Sequence, residues 1–230
     1  MTSSPVPIAA EPMKAALLKA VPIKAALVNA ALTNAALVKP YVETHSIRAV
    51  WLVVWITAGI IELSGTLRRR PEATRRDRGS LVVLRLCVLP AVVLLLLSPK
   101  IAPAAEIRPP LVSVVAGIVI FSAGEALRVW AKVALGRYFT YTVQTSGDQP
   151  VITSGPYRLL RHPSYTGILL MMIGAGATWG NWLGLGVLTL AAFLGLSYRI
   201  HVEEKALLKD LGDRYRSYSE DHKRLIPFVW

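Results

Sequence analysis

The chain has 230 residues, 53% of them hydrophobic and 17% charged. Its apolar residues come in blocks, which excludes an ordinary soluble domain and implies a multi-span membrane protein with one main module. The formal net charge is +12, but the basic residues lie in short loops between apolar runs, so membrane topology accounts for them and nucleic acid is not an expected partner.

Residues 1–12 contain Pro and Ser and are expected to be disordered. They carry no basic n-region, so no secretory signal is expected. Residues 13–40 form an Ala-rich, helix-favouring arm with a loose ten-residue repeat: "KAALLK" at Lys14, "KAALVN" at Lys24 and "NAALVK" at Asn34. Ten residues at about 100° each do not return to one face, and Lys19, Lys24, Asn29 and Asn34 argue against a membrane span. An interfacial or loosely packed helix is the expectation.

Five spans follow. The first is about Arg48–Leu67, the second Leu81–Ser98 and the third Leu111–Leu135. The fourth and fifth, Pro163–Trp179 and Trp182–Arg199, are separated by a "GNW" turn and predict a helical hairpin, short enough to be partly re-entrant. The single cysteine, Cys87, lies in an apolar run, where packing is its expected role. The fold class expected is all-α: a polytopic membrane protein of about five transmembrane helices with a C-terminal cytoplasmic helical segment.

Loop charges set the orientation. Arg68, Arg69, Arg70, Arg75, Arg76 and Arg78 follow span one, whereas only Lys100 and Arg108 lie between spans two and three. Arg137, Arg158 and Arg161 precede span four, and the tail carries Lys205, Lys209, Arg214, Arg216, Lys223 and Arg224. These basic segments are expected on the cytoplasmic side. The Ala-, Arg- and Val-rich usage points to a bacterial inner membrane.

Three polar groups stand at that side. In "RHP", the residue before proline is pushed out of the helical region and Pro163 suits the first helical position. His162 is therefore expected near the N-cap of span four, where free N–H groups favour an anion. An ordinary helix start with interfacial anchors is the plain alternative. In "RIHVEE", Arg199 and Glu203 are four apart and share a face, while Glu204 faces elsewhere. The pair is either a structural ion pair or, at the membrane exit, a site. His201 with Glu203 is too small a set for a metal, so none is expected. Glu125, Arg128 and Lys132 form a polar stripe on span three, and their spacing leaves structural and functional roles open. Neither a dinucleotide-binding glycine motif nor a Walker loop occurs.

Taken in order, "RVWAKVALGRYFT", "VITSGPYRLLRHPSYTG" and "RIHVEEKALLKDLGDRYRSYSEDHKRLIP" resemble the isoprenylcysteine carboxyl methyltransferase family of integral membrane methyltransferases. The resemblance runs from about Arg128 to Pro227. It divides the chain into first membrane helices over 41–127 and a cofactor-binding core over 128–230. Spans one and two share only their apolar character with the family.

The resemblance implies S-adenosylmethionine as methyl donor, held at the cytoplasmic face, and a lipophilic or lipidated acceptor from the bilayer. By position, Tyr157, His162, Pro163, Ser164 and Tyr165 match cofactor-binding residues. So do Gln149, Pro150, Val151 and Ile152, and Gln144 within a loop of variable length. Glu203 matches the cofactor-contacting carboxylate and Arg199 the arginine that orients the substrate; these two are the catalytic candidates. The chemistry suits this assignment. The helix start and His162 fit the donor's carboxylate, Glu203 its ammonium or ribose hydroxyls, and Tyr157 or Tyr165 its adenine or sulfonium. Isoprenylcysteine-type carboxyl O-methylation is the leading activity. Phospholipid N-methylation, in which Glu203 or Glu204 would serve as base, an NADPH-dependent membrane reductase and a non-catalytic scaffold are the alternatives. The acceptor and the oligomeric state are not specified by the sequence.

Overall fold

The computed structural model describes Ser46, Ala49, Trp51, Val53, Ile56 and residues 74–75, 79–139, 144–145 and 150–226. The expected disordered N-terminus, the Ala-rich arm and most of span one lie outside these residues. Among the described residues, five helices carry the fold: α1 (Ser80–Ile101), α2 (Pro110–Leu135), α3 (Pro163–Trp179), α4 (Trp182–Leu211) and α5 (Asp213–Asp221). A two-residue antiparallel ladder joins β1 (Thr74–Arg75) to β2 (Gln144–Thr145), with Thr74 opposite Thr145 and Arg75 opposite Gln144. The chain divides into Met1–Ile47 and Arg48–Trp230, and the second unit contains all of these elements.

The protein is an all-α, polytopic membrane protein. Among the described residues, α1, α2 and α4 are long and apolar enough to cross a bilayer. α3, at 17 residues, spans about 25 Å and is the shorter arm of the expected hairpin. α4 has 30 residues, or about 45 Å, well beyond a hydrocarbon core near 30 Å. Its predicted membrane part ends at Arg199, and the helix continues unbroken to Leu211 rather than stopping at the membrane. α2 likewise runs without a break through Arg128.

Local sequence explains the hairpin. α3 opens with Pro163 at its first position and closes on Gly180, whose φ of 76° gives the left-handed cap. Asn181 then caps α4: its Oδ1 accepts from the Leu183 and Gly184 amides, and its Nδ2 donates to the Ala102 carbonyl at 2.9 Å. Asn181 is buried, and the Ile107 amide donates to the Gly180 carbonyl. The α1–α2 connection is thus tied to the hairpin turn.

α2 packs along α3, and α1 along α4. Small residues make the first contact close. A Cβ on Gly174 would sit 2.5 Å from the Phe121 amide nitrogen, and one on Gly124 would sit 2.6 Å from the Gly167 carbonyl oxygen. The apolar core gathers Ala91, Leu95, Phe121, Met171, Ala175 and Leu188. Trp51 of the first span meets Phe121 edge to face at 4.9 Å.

Candidate active site at the mouth of the hairpin

His162 is the N-cap residue of α3, with φ −126° and ψ 55°, outside the helical region as expected before proline but short of the extended ψ of about 120–160° usual there. Its carbonyl accepts from the Tyr165 and Thr166 amides. This fixes "RHPSY" at the end of α3, beside the stretch where α4 leaves the predicted membrane span.

Two polar clusters form there. In the first, the Tyr165 hydroxyl donates a short hydrogen bond to Glu203 and accepts from Arg199 Nε at 2.9 Å. Arg199 and Glu203 share a helix face, as their spacing implies, and Tyr165 Oη lies between them. Arg199 is buried at 3% exposure. Its guanidinium also donates to Ser80 Oγ, at the start of α1, over 3.1 Å.

The second cluster centres on Glu204. Arg161 lies 2.8 Å from its Oε1, His162 Nε2 lies 3.3 Å from the same oxygen, and Arg224 Nε lies 2.9 Å from its Oε2. The carboxylate is buried, so three basic groups compensate for its loss of water. Glu204 does face away from the Arg199 side, but it faces these groups rather than solvent. His162 is therefore joined to Glu204 through Nε2, an engagement that its helix-cap position alone does not reveal. The His162 and Tyr165 rings stack, 5.6 Å apart at 11°.

A strap from the C-terminal region holds this wall in place. The Arg161 amide donates to the Lys223 carbonyl, the His162 amide to that of Arg224, and Thr166 Oγ1 to that of Leu225. Tyr218 Oη donates to the Tyr157 carbonyl at 2.7 Å, with the Leu160 carbonyl 3.3 Å away. Tyr157 is buried. Burial and the nearby Glu203 carboxylate push its phenol well above the usual tyrosine range, so it stays protonated. Burial likewise raises Tyr218, against the opposing pull of Arg161.

Of the remaining expected residues, Ser164 and Val151 make contacts in this region. Ser164 Oγ accepts from Arg128 at 2.7 Å. Arg128 is thus buried between helices; Lys132, further along the same stripe, sits over the Phe139 ring at 5.7 Å. Val151 packs against a cluster of Leu211, Tyr215 and Tyr218. Ile152 is half-buried and Pro150 exposed. Gln144 lies in β2, which approaches α4. Gln149 is outside the described residues. Among the described residues, no group of acidic, histidine or cysteine side chains could hold a metal.

The spatial order of these pieces can be compared with known proteins. Residues 115–209 match the isoprenylcysteine carboxyl methyltransferase (ICMT) family. The ICMT match covers α3, most of α2 and α4, and every candidate site residue from Gln144 to Glu203. A probable protein-S-isoprenylcysteine O-methyltransferase of Oryza sativa subsp. indica is 34% identical over 49% of this chain and 60% of its own length. A protein-S-isoprenylcysteine O-methyltransferase of Tribolium castaneum is 35% identical over 49% of this chain and 41% of its own. The chain therefore spans about half the length of the curated relatives it matches. A solved structure of the eukaryotic intramembrane Ras methyltransferase ICMT, without a monobody, superposes with a TM-score of 0.53 at 30% identity. That match covers 63% of this chain and 52% of the other. The resemblance expected from three sequence pieces is thus present in both sequence and fold.

Several site members were missed by sequence reasoning. Ser80 lies 119 positions from Arg199 and carries no motif. Arg224 and Tyr218 fall within the matching C-terminal piece, but spacing alone does not aim them at Glu204 or Tyr157. Sequence reasoning offers Glu204 only as a base, and its pairing with Arg161, His162 and Arg224 was not foreseen.

Proposed function

We propose that this chain is a membrane methyltransferase. It moves a methyl group from S-adenosylmethionine to the carboxylate of a lipid-like or isoprenoid-bearing acceptor, at the cytoplasmic face of the membrane. Residue usage supports a bacterial inner membrane as its location. The observation that carries the reading is the Arg199–Tyr165–Glu203 chain at the membrane mouth, beside the Glu204-centred wall.

The donor set fits S-adenosylmethionine. Glu203 offers a carboxylate to an ammonium or to ribose hydroxyls, Tyr157 and Tyr165 offer ring faces, and Arg161 brings positive charge. When bound, the cofactor supplies an electrophilic methyl group on a sulfonium. The chain's own residues do the rest. Arg199, buried and braced by Tyr165 and Ser80, is ready to hold an acceptor carboxylate with fixed donors. The closely packed helices exclude water, which strengthens that hold.

The acidic groups favour O-methylation over N-methylation. A primary amine would need a base, whereas an ionised carboxylate needs none. Glu204 is held by three basic groups, and Glu203 already accepts from Tyr165. An apolar groove of about 520 Å³ runs along α3 and α4 past Leu169, Ile173, Leu190 and Phe193. Leu169 is only four residues from Tyr165, about one helical turn, so an acceptor tail lying in the groove would bring its polar end towards Arg199.

The test is calorimetric binding in detergent of S-adenosylhomocysteine against NADPH, followed by methyl transfer to an S-farnesylcysteine analogue. The expected result is saturable binding of the former alone. Arg199→Lys should keep that binding and lose transfer by about a hundredfold, because an ammonium does not reproduce the guanidinium fork. Binding of NADPH instead would sink the methyltransferase reading.

A further inference from the structure

Two buried donor atoms beside the Glu204 centre have no hydrogen-bond partner among the described residues: the Tyr215 hydroxyl and Arg161 Nε. Tyr215 is 4% exposed. The hydroxyls of Tyr165 and Tyr218 in the same region are both bonded, so the Tyr215 hydroxyl stands apart. A buried polar group left without a partner costs about 1–3 kcal/mol, and such groups call for a ligand or water to satisfy them.

Its surroundings indicate which. Val151 packs against the cluster formed by Leu211, Tyr215 and Tyr218. The Glu204 and Glu203 carboxylates and the Arg161 guanidinium all act on the Tyr215 hydroxyl. Burial, Glu204 and then Glu203 raise this phenol, so it remains a neutral donor. The hydroxyl therefore lies among the residues assigned to the cofactor, yet it comes from α5, an element carrying none of them.

We propose that Tyr215 is a further ligand-contacting residue, whose hydroxyl donates a hydrogen bond to an acceptor atom of the bound methyl donor. Arg161 Nε is the second buried donor available to the same molecule. The assignment rests on the methyltransferase reading above.

Tyr215→Phe tests it, since phenylalanine keeps the ring that packs with Val151, Leu211 and Tyr218. Two quantities are read in detergent: the Kd for S-adenosylhomocysteine and the thermal midpoint of the unliganded protein. The expected result is a Kd raised about five- to tenfold, with a midpoint unchanged or higher because an unsatisfied hydroxyl has gone. A Kd equal to that of the wild type, whatever the midpoint, overturns the assignment and leaves the hydroxyl facing only buried water. Failure of the wild type itself to bind S-adenosylhomocysteine removes the methyltransferase reading, and this assignment with it.

Discussion

Glu204 illustrates how a single side chain organises the candidate site. Its two oxygens engage Arg161, His162 and Arg224, drawn from the α3 entrance and the C-terminal strap. Glu204→Gln preserves shape but removes the one negative charge that these groups share. The variant should be less stable by about 3 kcal/mol, because breaking a buried pair strands its partners. Denaturant unfolding in detergent measures this, and a wild-type midpoint would show that the cluster is not held by charge. Much of the site was legible at this scale. Proline geometry placed His162, and a four-residue spacing placed Arg199 with Glu203. What could not be read was the partner of each group, since a partner such as Ser80 is chosen by packing across more than a hundred positions.

Among the elements, the closest contact is the α2–α3 crossing. Gly174 leaves no room for a methyl group, whereas a Cβ on Gly186 in α4 would meet nothing within 4 Å. The two glycines should therefore respond oppositely to alanine. Gly174→Ala should destabilise by about 1–3 kcal/mol through overpacking against backbone. Gly186→Ala should be neutral or gain up to about 1 kcal/mol from helix propensity. Thermal unfolding of the two variants side by side checks this, and equal shifts would contradict the crossing. The helices themselves were the most legible part of the chain, because long apolar runs bounded by Pro, Gly and Asn define their own ends. The continuation of α4 past Arg199 was less visible, as the expected span stops where hydrophobicity does. The backbone instead stays helical through "HVEEKALLKDL", whose small and apolar residues Val202, Ala206 and Leu211 remain buried.

For the whole molecule, the proposed orientation puts the α4 extension and the Glu204 wall on one side of the membrane and the α1–α2 connection on the other. Lys209 and Arg108 are exposed near these two ends. In a Cys87→Ser background, a single cysteine at 209 should react with a membrane-impermeant maleimide only in inverted vesicles, and one at 108 only in right-side-out vesicles. The reverse pattern would refute the topology. The bracing of Arg199 by Ser80 also has a meaning in time. The two residues are 119 positions apart, so at about 5–20 residues per second the ribosome delivers the arginine roughly 6–24 s after the serine. Lys223, Arg224 and Leu225, which fasten the histidine segment, are delivered later still. During synthesis the site is thus completed last: its histidine segment emerges before the final two membrane helices, and the strap that fastens it emerges after them.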